Sequence, residues 1–230
     1  MQPQTIHFAP YETQRVAWPT QGRSILAQFD EQKVVVYQAY CPEIADFVVN
    51  HGHFLGGVFS LTRMSWIKPG FLWMMFRSGW ATKPNQERIL AIALQRFAFD
   101  KILSEAVESK FVSQVYCSEQ AWKDAIKASN VRLQWDPDHG PSGEPLSRRV
   151  IQLGLRAEVL ARYAKEWIIS VEDITAFVHS QVPHVLSGNI SSLITPVEMV
   201  YPVSDKTARV LGVDDGSYPG ADTIANTLVR

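Results

Sequence analysis

Between Phe59 and Arg96 the chain carries six basic residues, Arg63, Lys68, Arg77, Lys83, Arg88 and Arg96, against a single acid, Glu87. Trp66, Phe71, Trp73, Phe76 and Trp80 are interleaved with them. Cations beside aromatic faces suit a ligand that carries both phosphate and a base. The cation meets the phosphate and the ring stacks on the base. Arg63, Ser65, Trp66 and Lys68 fall in a polar and aromatic approach to Pro69, which suits the first turn of a helix. Helix N-termini favour anions. On that helix Trp73 and Trp80 share a face, and Arg77, four residues after Trp73, lies on the same side. The competing reading makes Trp73 a core ring and Arg77 a cation that snorkels to solvent.

A second constellation is Trp135-Asp136-Pro137-Asp138-His139-Gly140, followed by Arg148 and Arg149. Asp136, Asp138 and His139 could do acid/base work, hold a hydroxyl-rich ligand or a divalent ion, or simply cap a turn. A third comprises Gly22-Arg23 ahead of one strand and Tyr37-Gln38-Ala39-Tyr40 at the end of the next. If Gln38 points inward it needs partners, from the protein or from a ligand. His51 and His53 read as a surface loop rather than a metal site. Phosphate-loop, dinucleotide-fingerprint, zinc-protease, nucleophile-elbow and calcium-loop signatures are absent.

The elements that must position these groups follow from pattern. Ser24 to Phe29 and Lys33 to Tyr40 read as strands. A helix follows from Pro42 to near Gly52, then a short strand from Val58 to Leu61 and a helix from Pro69 to Ser78. Arg88 to Arg96 reads as a buried strand, with a helix as the rival reading, and Asp100 to Glu108 as a helix. Phe111 to Cys117 reads as a strand, and Ser118 caps a helix through Ala128. Strands at Val131 to Trp135 and Arg149 to Leu155 enclose a turn-rich loop, Asp136 to Pro145. Helix, strand and helix then follow at Glu158 to Glu166, Trp167 to Val171 and Glu172 to Ser180. Prolines, glycines and serines accumulate from Pro183, and the last ten residues read as loose. Without a regular strand–helix–strand period, this order points to an α+β domain with a mixed, mostly antiparallel sheet flanked by helices. Residues 11–212 form that single domain, after an N-terminal segment 1–10 and before a tail 213–230.

At 230 residues, 46% hydrophobic and 20% charged, the chain can bury a full core without staples. A formal net charge of −1 excludes a strongly basic coat, though not a local basic site. No apolar run is long enough for a transmembrane helix, and the start lacks a secretory signal pattern. Cys41 and Cys117 form no paired motif. A cytoplasmic protein with no membrane partner is expected, its oligomeric state open.

Three strings carry a resemblance: GRSILAQFDEQKVVVYQAYCPEIADFVVNHGHF, FSLTRMSWIKPGFLWMMFRSGWATKPNQERILAIALQRFAFDKIL and LQWDPDHGPSGEPLSRRVIQLGLR. Together they resemble the domain of unknown function 4291 family, over about residues 11–212. More remotely, a strand ending in Tyr-x-Ala-Tyr, a helix and then His-Gly-His-Phe is similar to the opening of ADP-ribosyltransferase folds. That resemblance implies NAD as substrate and no metal. Tyr37 and Gln38 would stand where those folds place a Tyr-His or Tyr-Arg pair that grips NAD, and Ser60 to Ser65 near a Ser/Tyr position of the second strand. Gln152, or Glu158 beyond it, would take the place of a later Glu or Gln. Gln38 is neutral, so phosphate charge would fall to Arg23, Arg63, Lys68, Arg77 and Arg149. Tyr40, Trp66 and Trp73 would be the rings beside the ligand, and Glu158, Asp136 and Asp138 the available carboxylates.

The expected function is an NAD-dependent ADP-ribosyltransferase-like enzyme acting on a nucleic-acid or small-molecule acceptor. The alternatives are a non-catalytic nucleotide or nucleic-acid binding protein using residues 59–96, and a metal-dependent nucleotide enzyme using the Asp136–His139 segment.

Overall fold

In a computed structural model, which describes residues 6–113 and 115–214, the chain begins with β1 (Phe8–Pro10), α1 (Tyr11–Arg15), β2 (Gly22–Arg23) and β3 (Leu26–Ala27). It continues with β4 (Lys33–Tyr40), α2 (Pro42–His51), β5 (Ser65–Ile67), α3 (Phe71–Ser78), β6 (Arg88–Gln95), α4 (Arg96–Ser104) and β7 (Ala106–Glu108). Then come α5 (Glu119–Ala128), β8 (Val131–His139), β9 (Pro145–Leu155), α6 (Ala157–Lys165), β10 (Ile168–Asp173) and α7 (Thr175–Leu186). A 3-10 turn (Ile190–Ser192), β11 (Ile194–Pro196), β12 (Met199–Val200) and α8 (Asp205–Leu211) complete it.

β4, β6 and β10 form an antiparallel sheet in the order β10-β6-β4. The run Val34-Val35-Val36-Tyr37 lacks polar alternation because both faces of this sheet are covered. Val34, Val36, Leu90 and Ile92 face one core with α2, α4, α6 and the second sheet. Val35, Tyr37, Ile89 and Ala91 face another with α1, α3 and α7. The second sheet is built on the β8–β9 hairpin, with β7 parallel beside β8 and β2 and β5 pairing with β9. Two short pairings, β1 with β11 and β3 with β12, tie the start of the chain to its later part. The architecture is the expected α+β arrangement: of the eight strand pairings described, only β2–β9 and β7–β8 are parallel.

Local signals set several boundaries. α2 begins at Pro42 and ends on Gly52, whose φ of 72° lets the chain leave in the left-handed region. Ser118 Oγ caps α5 by accepting from the Ala121 amide at 3.1 Å.

Other expectations give way to tertiary pairing. Val58 to Leu61 is irregular, and the strand forms instead at β5, where β9 offers an edge. The expected helix at Asp100 to Glu108 starts earlier, at Arg96, and its end is drawn into β7 alongside β8. Among the described residues of Phe111 to Cys117 there is no strand, since β7 already occupies that edge of β8. The turn-rich stretch from Asp136 begins as strand, since β8 runs through His139 with a register shift between Pro137 and His139 absorbing the proline, and the loop is confined to Gly140–Glu144. Glu172 lies in β10, and α7 continues through Pro183 to Leu186. The last ten residues lie outside those described.

Candidate functional site

The two large sheets meet where Tyr37 faces Lys68. The Tyr37 amide donates to the Lys68 carbonyl at 2.7 Å, and the Lys68 amide returns a bond to the Tyr37 carbonyl at 3.3 Å. Side chains, rather than a backbone ladder, link β4 to β5 beyond that bridge. Gln38 Nε2 donates to Ser65 Oγ at 2.9 Å and to the Trp66 carbonyl at 3.0 Å. Its Oε1 accepts from the Tyr163 hydroxyl at 2.5 Å, so this inward amide is satisfied by the protein itself. The Tyr40 hydroxyl lies 3.1 Å from Ser65 Oγ. Burial raises the Tyr40 pKa well above the ordinary value, so Tyr40 stays a neutral phenol.

A cleft of about 650 Å³ opens at this corner. Gln38 and Tyr40 from β4, Ser65 and Trp66 from β5, and Gln134 and Gln152 from the hairpin line it. Arg63 and Lys68, on either side of β5, and Arg77 of α3 supply its cations, while Asn85 and Gln86 add amides from the loop before β6. No carboxylate lines it among the described residues. Three cations facing a space that holds no counter-charge make an anion site. Arg77 Nη1 reaches Gln86 Oε1 at 3.4 Å, a long bond that leaves the guanidinium largely uncommitted.

Lys68 is only 5% exposed. Burial, then the nearby Arg77 charge, hold its pKa down to about 8 from the ordinary 10.5, while Asp136 pulls the other way.

The start of α3 is not open to a ligand. Glu198 Oε1 accepts from the Phe71 amide at 2.6 Å, so a carboxyl of the chain itself occupies the anion position expected ahead of this helix. Burial raises the Glu198 pKa to about 8, the Phe71 bond opposes that, Asp138 adds to it and Arg148 opposes it. An acid whose pKa rises on folding holds its proton more tightly in the folded chain. Its contribution to stability is whole below the ordinary 4.5 and is lost as pH climbs toward about 8. Glu198→Gln keeps the acceptor for Phe71 and carries no charge. Its melting temperature is expected to exceed the parent's at pH 8, with the gap closing near pH 4.5. A gap that does not change with pH would assign the dependence to another group.

The cleft floor rests on an acid braced by two amides. Gln134 Nε2 donates to Asp136 Oδ1 at 2.8 Å, and Gln152 Nε2 donates to Asp136 Oδ2 at 2.6 Å. The hairpin register sets Gln134 directly opposite Gln152 and Asp136 opposite Val150. Gln134 went unnoticed in the sequence because Asp136 reads as loop there. The period-two spacing of Gln134 and Asp136 was the available signal.

Trp66 pairs with Gly154 on β9, and the glycine is what admits it. A Cβ at Gly154 would lie 2.5 Å from Met64 Sδ and 3.1 Å from Trp66 Cε2. Both residues line the cleft. Gly154→Val should therefore displace Trp66 and weaken ligand binding at least tenfold by calorimetric titration. Undiminished affinity would show that the indole takes no part.

A family model described as a domain of unknown function, DUF4291, matches residues 24–201. The chain belongs to this family. No curated protein matches it. The DUF4291 span contains every cleft-lining residue, from Gln38 to Gln152, and also Glu198.

Of the residues singled out in the sequence, Gln38, Tyr40, Arg63, Ser65, Trp66, Lys68, Arg77 and Gln152 come together at this cleft of the DUF4291 domain. The others lie elsewhere. Asp138 is locked in a buried ion pair, its Oδ2 accepting from Arg148 Nε at 2.6 Å and its Oδ1 from the His139 amide at 2.8 Å. His139 stacks on Phe76 with ring centroids 3.5 Å apart, and Trp73 stacks on both. Trp73 thus faces the β8 hairpin while Arg77 faces the cleft, because Trp73 is buried and Arg77 exposed. Trp80 falls beyond the end of α3, with a φ of 54°, and its indole donates to the Pro141 carbonyl. The expected shared face of Trp73 and Trp80 does not form.

Tyr37 points into the core, its hydroxyl without a partner among the described residues. Arg23 pairs with Glu108 at 3.3 Å. Arg149 is exposed on β9 opposite Arg23, and Glu158 is exposed in the first turn of α6. His51 stacks on Phe47. Among the described residues no three His, Cys, Asp or Glu side chains gather as a metal ion would need, and no helix is long and apolar enough to cross a membrane.

Proposed function

We propose that this DUF4291 chain is an ADP-ribosyltransferase-like enzyme that takes NAD as substrate and transfers ADP-ribose to a nucleic-acid or small-molecule acceptor. The observation that carries the reading is a single cleft in which the Gln38–Ser65–Tyr40 corner stands beside the Arg63, Lys68 and Arg77 cations. The resemblance to ADP-ribosyltransferases asks for that pairing: a polar group at the end of one strand meeting a serine of the next, within reach of phosphate-binding charge. The cleft volume suits a dinucleotide-sized ligand.

The chemistry then follows from charge. Arg63 and Arg77 neutralise the pyrophosphate, and Trp66 offers an apolar face to a ring. The bond between nicotinamide and ribose breaks with its electron pair leaving on nicotinamide, and positive charge develops on the ribose. Asp136 does not line the cleft, but held behind the Gln134 and Gln152 amides it provides a nearby negative charge that favours this state. The acceptor's nucleophile closes the new bond to ribose and gives up its proton to solvent.

Titration with NAD, ADP-ribose, ATP and a short single-stranded oligonucleotide, followed by melting temperature, tests the binding step, since a ligand of the folded state raises it. NAD and ADP-ribose are expected to stabilise. Arg77→Ala should weaken NAD binding by about 1–3 kcal/mol through loss of a charged hydrogen bond. A shift with the oligonucleotide alone, lost in Arg77→Ala and sensitive to salt, would replace the transferase reading with a non-catalytic nucleic-acid binding module.

A further inference from the structure

We propose that Lys68 is a carbonyl-reactive amine, and that the cleft captures phosphorylated aldehydes, including the open-chain form of a phosphorylated sugar, as an imine on its Nζ. The inference shares with the proposed function the reading of Arg63 and Arg77 as anion-holding groups, and it does not depend on NAD turnover.

Position is the first argument. Lys68 is held at the junction of the two sheets by both backbone bonds to Tyr37, and Pro69 follows it, so its backbone has little freedom. Its side chain lines the cleft yet is almost wholly buried. No salt bridge or hydrogen bond to its Nζ is found among the described residues, although ammonium groups this buried are ordinarily paired. A structural lysine would be matched to a carboxylate. Here the charges that act on it are Arg77 from α3, which disfavours the ammonium, and Asp136 from β8, which favours it.

Reactivity is the second argument. An amine attacks a carbonyl only as the free base, and burial near a like charge is the usual way a lysine is activated. With a pKa of about 8, about a tenth is free base at pH 7, far more than for an ordinary lysine, which is almost entirely ammonium there. Arg63 and Arg77 would hold the phosphate while Nζ meets the aldehyde carbon. The nitrogen lone pair forms the C–N bond as the C=O π pair moves to oxygen, and the nitrogen gives up a proton through solvent while that oxygen gains one, to give a carbinolamine. Loss of water then leaves the imine. Borohydride delivers hydride to the imine carbon and solvent protonates the nitrogen, which fixes the adduct as a secondary amine.

Pyridoxal 5′-phosphate supplies both an aldehyde and a phosphate. The full chain would be treated with about one equivalent and reduced with borohydride. Intact mass and peptide mapping would then locate the label. One adduct per chain is expected, at Lys68, suppressed by inorganic pyrophosphate and lost in Lys68→Met. Pyridoxal, which lacks the phosphate, should label the same residue at least tenfold less efficiently. Label spread over the exposed lysines with Lys68 unmodified overturns the proposal, and because it is read on the parent chain it does not rely on the variant folding. Equal labelling by pyridoxal would sink the phosphate-directed part and, with it, the anion-holding role of Arg63 and Arg77. Lys68 labelling in a protein that leaves NAD intact would separate this inference from the transferase reading.

Discussion

Replacing Asp138 with alanine is expected to destabilise the fold by about 3–5 kcal/mol, because it strands a buried guanidinium. Arg148 and Asp138 are 9% and 7% exposed at the side chain, and their 2.6 Å contact is the only salt bridge described in which both partners are that deeply buried. Arg148 also lies over the Trp18 ring at 5.2 Å and reaches the Pro19 carbonyl at 3.4 Å, neither of which supplies a negative charge. Glu198, the other acid that senses Arg148, is largely protonated at neutral pH. Urea unfolding measures the loss. A change below about 1 kcal/mol would mean that the guanidinium finds solvent or draws a proton off Glu198, and that the pair is a surface-grade interaction.

Asp136, two residues earlier, should behave in the opposite way. Asp136→Asn is expected to lower NAD turnover at least about tenfold, because its charge acts on the cleft from behind the Gln134 and Gln152 amides that it holds. Its unfolding free energy should change by no more than about 1 kcal/mol, as for a partly exposed side chain without a buried ion pair. Nicotinamide release measured beside urea unfolding separates the two effects. Unchanged turnover removes Asp136 from the proposed chemistry, and a loss of activity that follows a loss of stability makes it a structural brace. The contrast between the two aspartates is the sharper test, since both belong to one short acidic stretch.

That stretch shows where sequence reading stops. Asp-Pro-Asp-His-Gly has turn composition, and local preference assigns it to a loop. The hairpin partners, Val150, Arg149 and Pro145, make it strand through His139. Once it is strand, Asp136 and Asp138 part company: one meets the amides on the cleft floor, the other a buried arginine. By contrast β4, α2 and α5 were legible because their signals are local: an unbroken apolar run, Pro42 with Gly52, and a serine cap. The basic and aromatic composition of residues 59–96 marked one wall of the cleft, Arg63 to Lys68 and Arg77. The amides Gln134 and Gln152 come from the β8–β9 hairpin, and only the tertiary arrangement brings them into one cleft with Gln38. The Glu198 carboxyl at the start of α3 was invisible for the same reason, being 127 residues from the amide it accepts.

The short pairings of β1 with β11 and of β3 with β12 bear on how the polypeptide is made. Phe8 finds its partner at Pro196, and Ala27 at Met199. At roughly 5–20 residues per second, a ribosome would take roughly ten to forty seconds to synthesise the intervening segment. For that interval Ile6, Tyr11 and Leu26 belong to a cluster whose closing member, Leu193, has not yet been translated. The nascent chain can assemble the β4–β6 ladder early, but its first strands must wait with apolar side chains and unpaired edges in water. Until residues 194–200 are made, the apolar side chains of the first strands lack the partners that bury them in the folded chain.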